Sequence, residues 1–142
     1  MASVVKRQQE LAFVQSNATA TNAVGITTTN VPEMSISLTF TEPTEIDLEV
    51  GGTIQLMAGA TAVGGLDIHD GASVLVYAKH TFDTLLDFDP LHARRRLTVP
   101  AGTITFTVRL RNETAATTLT AAAVSDYRSW ARISRIIPES IN

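Results

Sequence analysis

Histidines and acidic residues lie close together at three points in the middle of the chain. The three groups are Asp67, His69 and Asp70; His80 and Asp83; and Asp87, Asp89 and His92. Imidazole and carboxylate groups are ligands for divalent metals. However, the spacings match no closed metal site, and Asp-Gly and Asp-Pro pairs are ordinary turn sequences. The pattern therefore favours loop residues, with metal binding as the alternative, and it predicts no cofactor.

Four acidic residues near the end of the first third are the candidates for acid–base chemistry: Glu42, Glu45, Asp47 and Glu49. A glycosidase needs two carboxylates that face each other across a cleft. Asp47 and Glu49 instead alternate with aliphatic residues, which predicts that both lie on the solvent face of one strand. The sequence also has no Gly-x-Ser-x-Gly elbow and no glycine-rich phosphate loop. We therefore expect a protein without enzymatic activity.

Five arginines form the strongest positive region: Arg94, Arg95, Arg96, Arg109 and Arg111. Such a region contacts either nucleic acid or an acidic protein surface. The sequence pI of about 5.5 and the aromatic content of 6% fit nucleic-acid binding poorly, because single-strand binders stack bases on aromatic rings. The arginines are therefore predicted to contact a neighbouring subunit, with a solvated surface as the alternative.

Tyr127 and Trp130 are the large amphipathic aromatic residues near the C-terminus. Trp130 could stack on a sugar ring, which makes the pair a candidate glycan site. The alternative is that Trp130 packs at the start of the last strand or at a trimer contact, because tryptophan side chains are usually mostly buried.

The elements that would position these side chains are predicted to be strands. Apolar and polar residues alternate in "MSISLTFT", "EIDLEV", "SVLVYAK", "TITFTVRLR" and "SWARISRII", which is the period of a half-buried strand. Gly51-Gly52 is predicted to form a hairpin turn, residues 59–65 a loop, and residues 80–93 an irregular segment. Seven to nine short strands at this spacing predict an all-β fold, an antiparallel β-sandwich or jelly roll.

Residues 1–31 are predicted to form an extended N-terminal arm, and residues 32–142 the β-sandwich head. The stem of the arm, "QSNATATNAVGITTTNVP", is rich in Thr, Asn and Ala and has no periodicity, as in a linker. Five apolar residues near its tip are the candidate anchors on a neighbouring subunit: Val4, Val5, Leu11, Phe13 and Val14. A frayed terminus is the alternative.

Bulk properties restrict the class of protein further. Only 18% of the residues are charged, against about 25% in an average protein, which suggests that partner chains cover part of the surface. There are no cysteines, so disulfide frameworks and thiolate metal sites are excluded. No apolar run reaches the ~18 residues of a membrane span, and the N-terminus lacks the apolar core of a signal peptide. Synthesis in a cytoplasm without membrane insertion is expected.

Several segments, in this order, resemble a known group of proteins. These are "ASVVKRQQELAFVQ", "SISLTFTEPTEIDLEV", "RRRLTVPAGTITFTVRLR" and "YRSWARISRI". Their order and spacing are similar to those of small jelly-roll proteins of tailed bacteriophages, namely minor tail proteins and fibre heads related in shape to the tumour-necrosis-factor and C1q heads. The resemblance implies a homotrimer on the virion surface, made in the host cytoplasm. It assigns no ligand residues to this chain.

Three functions follow as expectations. The first is a trimeric minor tail or tail-tip protein of a tailed phage, in contact with other virion proteins and with adhesion to a host surface glycan as an added role. The second is a capsid decoration protein that stabilises the head lattice. The third, from a different class, is a carbohydrate-binding module.

Overall fold

Ten strands make up nearly all of the regular structure. The computed structural model describes the backbone of residues 3–123 and 127–141, and side chains within residues 7–123 and 127–137. The strands are β1 (Ser3–Gln15), β2 (Ala20–Asn22), β3 (Thr27–Phe40), β4 (Thr44–Ala58), β5 (Ala62–His69), β6 (Val74–Phe82), β7 (Phe88–Val99), β8 (Gly102–Asn112), β9 (Thr118–Ala121) and β10 (Trp130–Ile141). The prediction of an all-β antiparallel sandwich is confirmed.

The strands form two antiparallel sheets that we call sheet A and sheet B. Sheet A has the order β1-β10-β4-β9-β2. In it, β10 and β9 pair with successive parts of one edge of β4, and β7 pairs with the opposite edge. Sheet B has the order β3-β8-β5-β6. The long-range pairs are nested in sequence, because β5 pairs with β6, β4 with β7, β3 with β8, and β1 with β10. A long antiparallel ribbon folded over in this way is a jelly roll.

The core lies between the sheets and comes from the inward side of each strand. Ile46, Leu48 and Val50 of β4 are fully buried there, together with Phe106 and Leu110 of β8. The predicted alternation of the "EIDLEV" and "TITFTVRLR" segments therefore holds in the structure, since every second residue faces the core.

The predicted turn at Gly51-Gly52 is wrong, and the predicted loop 59–65 is confirmed only for residues 59–61, because Gly51, Gly52, Gly64 and Gly65 lie inside strands. β4 runs without a turn through Gly51 and Gly52. A Cβ atom at Gly52 would lie 2.8 Å from Leu66 Cδ1, so this glycine permits close packing against the core. Likewise Gly64 lies within β5, where a Cβ atom would overlap the carbonyl oxygen of Arg111. Strand glycines commonly mark such close approaches.

The segment predicted as irregular is shorter than expected. β6 continues to Phe82 and β7 begins at Phe88, so only residues 83–87 connect the two strands. Buried Phe82 and Leu91 belong to the core on either side of the connection.

The first part of the predicted arm also lies in the sheet. β1 pairs with β10 of the same chain from Ser3 to Gln15, with a bulge between Glu10 and Ala12. Leu11 and Val14 pack against the core of their own head, whereas Phe13 points outward and is 43% exposed. The bulge next to Leu11 breaks the alternation, so that Leu11 and Val14 face the same side. The expectation of a separate arm is corrected accordingly for residues 3–15, and also for residues 20–22 and 27–31, which lie in β2 and β3. The side chains of Val4 and Val5 lie outside the described residues.

Candidate functional site

Trp130 lies on the outer face of sheet A and is positioned by a glycine. It begins β10 and pairs with Gly51 of β4. A Cβ atom at Gly51 would lie 2.6 Å from Trp130 Cε2 and 2.7 Å from its Nε1. The indole ring therefore rests directly on the glycine backbone, which only a residue without a side chain allows.

Three side chains surround the indole on this face. The ring centroid of Phe13 lies 6.2 Å from that of Trp130, and the ring centroid of His92 lies 5.8 Å away. The guanidinium carbon of Arg132 lies 5.7 Å from the Trp130 centroid and 5.3 Å from that of Phe13. Arg132 thus makes cation–π contacts with both aromatic residues.

Two acidic residues, Glu10 and Glu49, hold the His92 and Arg132 side chains of this cluster in place. His92 Nε2 lies 3.1 Å from Glu49 Oε2, and Arg132 Nη1 lies 3.9 Å from the other oxygen of Glu49. Arg132 Nε donates to Glu10 Oε1 at 3.0 Å. Because the side chains of His92 and Arg132 are both about half exposed, these pairs fix orientation more than they add stability.

Next to the cluster, a buried carboxylate anchors the first of the predicted arginines. Asp47 is 1% exposed on the outward side of β4. Its Oδ2 accepts a hydrogen bond from Arg94 Nε at 2.6 Å and another from Gln8 Nε2. The bond to Asp47 raises the pKa of Arg94 above its ordinary value. Asp47 was expected to be solvated, but Arg94 and Gln8 cover it.

A groove of about 390 Å³ opens beside Trp130. Its lining consists of Gln15, Gly52, Thr53, Pro90, Leu91, Arg128 and Trp130. Arg128 is the charged residue of this lining, and its Nε is shielded from solvent with no hydrogen-bond partner among the described residues. The groove combines an aromatic ring, hydrogen-bonding side chains and a guanidinium, so a ligand there would meet mostly polar contacts beside one aromatic ring.

An apolar patch occupies one end of sheet A, where β4 and the start of β7 meet. Five large apolar side chains are 40–55% exposed there: Met57, Leu85, Leu86, Phe88 and Tyr127. The rings of Phe88 and Tyr127 stack at 4.6 Å with an interplanar angle of 12°. The connection that carries Leu86 is held against β4, because Leu86 N donates to Leu56 O at 2.9 Å. We call these five residues the apolar patch.

On the outer face of sheet B, a second buried carboxylate accepts two more of the predicted arginines. Asp67 is 0% exposed. Arg109 binds it through two hydrogen bonds of 2.9 and 3.1 Å, and Arg111 Nε donates to it at 3.0 Å. Arg111 also lies 5.2 Å from the ring centroid of Tyr77. Burial, followed by a hydrogen bond to Glu113, raises the pKa of Tyr77 above its ordinary value.

A row of paired hydroxyls crosses the same face between β3 and β8. Three pairs of oxygens lie within hydrogen-bonding distance: Ser35 and Thr107 at 3.0 Å, Ser37 and Thr105 at 2.7 Å, and Thr39 and Thr103 at 2.8 Å. Each pair joins residues directly opposite each other in the sheet. The alternating threonines of the sequence thus form a polar, uncharged surface. We call these six residues the hydroxyl ladder.

The predicted arginines therefore divide into separate sites. Arg109 and Arg111 bind Asp67 of their own chain, and Arg94 binds Asp47, where contact with a neighbouring subunit had been expected. Arg95 Nη1 donates to Leu75 O at 2.8 Å across the gap between β7 and β6. Arg96 is exposed on the outward side of β7. The subunit contact stays a prediction for all five arginines.

The candidate metal groups are also separated. His69 Nδ1 accepts from Gly71 N at 2.9 Å, and Asp70 Oδ1 accepts from Ala72 N and Ser73 N at 2.9 and 2.7 Å. These backbone bonds lower the pKa of Asp70 and form the kind of turn expected of an Asp-Gly pair. Within residues 3–123 and 127–141, no three His, Asp or Glu side chains converge on a common point.

Sequence reasoning missed the pairing of Asp47 and Asp67 with arginines. Both acids lie on the outward side of a strand, and the sequence carries no signal that distant strands bring arginines over them. It also missed the groove, because Arg128 comes to lie beside Gly52 and Thr53 of β4 only in the folded chain. For the apolar patch a signal was present in "LLDF", where two large apolar residues stand in a connection and a third begins the next strand.

Comparisons with known proteins give a fold likeness only. The sequence matches no protein-family model and no curated protein. The structure is similar to that of infectious bursal disease virus, Gx strain, with a TM-score of 0.32 and 10% sequence identity. The match covers 99% of this chain and 32% of the viral chain, so this chain spans about a third of that protein. A likeness this distant carries no functional inference.

Among the described residues, there is no helix with the length and apolar character needed to cross a membrane.

Proposed function

We propose that this chain is a non-enzymatic structural protein on the surface of a tailed-phage virion, where jelly-roll heads assemble as homotrimers in a minor tail or tail-tip position. The apolar patch is the observation that carries the proposal. The virion setting and the trimeric state come from the resemblance of the sequence to phage jelly-roll proteins.

The apolar patch has the properties of a protein–protein contact. Scattered exposed apolar residues are normal on a monomer, but here five large side chains occupy one end of one sheet. Methionine and aromatic residues, which are three of the five, are enriched in interface cores. Water contact with such a group is unfavourable, so burial against other copies stabilises the assembly.

The hydroxyl ladder supports the same role on the other sheet. Its side chains satisfy each other across the strands, so a partner can approach this face without leaving buried donors unpaired. Because the six ladder residues carry no charge, contact of another protein surface with the ladder does not require the desolvation of ions there.

Sedimentation velocity of the full chain tests the assembly. We expect a species of three times 15.2 kDa, and we expect Leu85→Glu to shift it towards the monomer. Val74→Glu is the matched control, because Val74 is an exposed apolar residue on β6, outside the apolar patch. A wild-type protein that is monomeric at all concentrations, or equal effects of the two substitutions, would contradict the trimer contact.

Cryo-electron microscopy of the phage particle tests the location. Density for trimers of this chain at the tail or tail tip is the expected result. Density on the capsid lattice would instead establish the decoration role, and absence from the particle would remove the virion function.

A further inference from the structure

We propose that the groove beside Trp130 binds an acidic saccharide, with Arg128 as the group that recognises its carboxylate. This site goes beyond the structural role proposed above and does not depend on it. It rests on the lining of the groove, the Arg128 Nε atom that has no partner among the described residues, and the contacts of two neighbouring acids.

The groove has the shape and size of a small-ligand site. Its volume of about 390 Å³ lies within the range of ~300–1,000 Å³ that is usual for ligand pockets. It lies at the junction of three strands, with Thr53 on β4, Pro90 on β7 and Trp130 at the start of β10. These positions are rigid, because β4 pairs with both of the other strands.

The lining offers both kinds of contact that a sugar ring makes. A pyranose has an apolar face of C–H groups and a rim of hydroxyls. The indole of Trp130 and the ring of Pro90 supply apolar surface, and Gln15 and Thr53 supply donors and acceptors. The indole is held in one orientation by Gly51 beneath it, so binding does not require it to become ordered.

Arg128 selects for an anion. Its Nε has no hydrogen-bond partner in the described part of the chain, so the guanidinium can turn towards a ligand without losing a bond at that atom. A buried donor left unpaired is unfavourable, and a carboxylate would satisfy it with a charge-assisted bond.

Two acids on the outer face of sheet A, Glu10 and Glu49, bind side chains other than Arg128. Glu49 is engaged by His92 and Arg132, and Glu10 is engaged by Arg132. Among the residues that the structure describes, the lining contains no acidic one. Because the positive charge of Arg128 is not neutralised within the lining, an acidic sugar is favoured over a neutral one.

The test compares methyl β-D-glucuronide with methyl β-D-glucoside, which differ in the carboxylate, by isothermal titration calorimetry on the full chain. We expect the glucuronide to bind at least about tenfold more tightly than the glucoside. Arg128→Gln should remove that preference, and Trp130→Phe should weaken the binding of both sugars. Arg96→Gln is the matched control, because Arg96 is exposed on β7 and lies far from the groove. The residue opposite Arg96 in the sheet is Asp47, which lies about 13 Å along β4 from Gly51 at the usual strand rise.

Three results would overturn the proposal. They are binding of neither sugar, equal binding of the two sugars, and an Arg128→Gln variant that keeps the preference while remaining folded by circular dichroism. Sodium acetate that binds as tightly as the glucuronide, and is unaffected by Trp130→Phe, would show an anion site that does not recognise a sugar. None of these results bears on trimer formation, so the virion proposal is tested separately.

Discussion

The indole of Trp130 rests on Gly51, the residue opposite it in the adjacent strand, at a distance that no larger residue at position 51 permits. The pair lies beside the groove and beside the cluster of Phe13, His92 and Arg132, and Gly51 is near the centre of β4. The conformation of one backbone site therefore determines the orientation of the ring on which the saccharide proposal depends.

Gly51→Ala should destabilise the protein through Trp130. The added methyl group would lie 2.6 Å from the indole, and overpacking of this kind costs about 1–3 kcal/mol. A double-mutant cycle with Trp130→Ala, measured by urea denaturation, isolates the effect. We expect the cost of Gly51→Ala to fall when Trp130 is absent. An equal cost in both backgrounds would show that the glycine matters for the strand and not for the ring.

Asp67→Asn should be among the most destabilising single changes on the outer face of sheet B. Asp67 is fully buried and accepts three hydrogen bonds from Arg109 and Arg111. Removing one partner of a buried ion pair costs about 3–5 kcal/mol, and the partial exposure of both arginines places the expected loss at the lower end. Asp83→Asn, at an exposed acid in the connection after β6, should change the free energy of unfolding by less than about 0.5 kcal/mol. Similar urea midpoints for the two variants would contradict this account.

The fold class could be predicted because alternation is a local property. Ile46, Leu48 and Val50 face the core as their spacing indicates, since a strand has no other way to bury every second residue. The structural role of the glycines could not be predicted in the same way. Gly51 and Gly64 serve close approaches between distant segments, and a single sequence does not distinguish such a glycine from one in a turn.

The candidate site was predicted only in part. Trp130 and Tyr127 were recognised as residues for a ligand or a subunit contact, and both lie on the outer side of sheet A, one at the groove and one in the apolar patch. The arginines were recognised by type, but their partners were not. Asp47 and Asp67 are 47 and 42 residues away from the arginines that bind them, and that pairing follows from sheet topology.

Asp70 should titrate below its ordinary pKa of 3.8, because its side chain accepts backbone hydrogen bonds from Ser73 and Ala72. A pKa that is lower in the folded state than in the unfolded state contributes stability above pH 3.8, and that contribution is lost as the pH falls through the lower value. The amide shifts of Ala72 and Ser73 in an NMR titration report the ionisation directly. Asp70→Asn keeps a side-chain acceptor and should abolish this acid transition. A midpoint at or above 3.8 in the wild-type protein would contradict the role of the turn.

Deletion of residues 2–15 should lower the stability of the head, because β1 is part of sheet A. Its loss would remove the pairing with β10 and the core contacts of Leu11 and Val14, and substitution of one partly buried aliphatic residue already costs about 1–3 kcal/mol. Val14→Ala should show a loss of that size in urea denaturation. Phe13→Ala is the matched control within β1, and we expect a smaller loss because Phe13 is 43% exposed. If the truncated chain unfolds at the wild-type urea midpoint, residues 3–15 do not stabilise the head, and a role as an exchangeable arm between subunits becomes the better description.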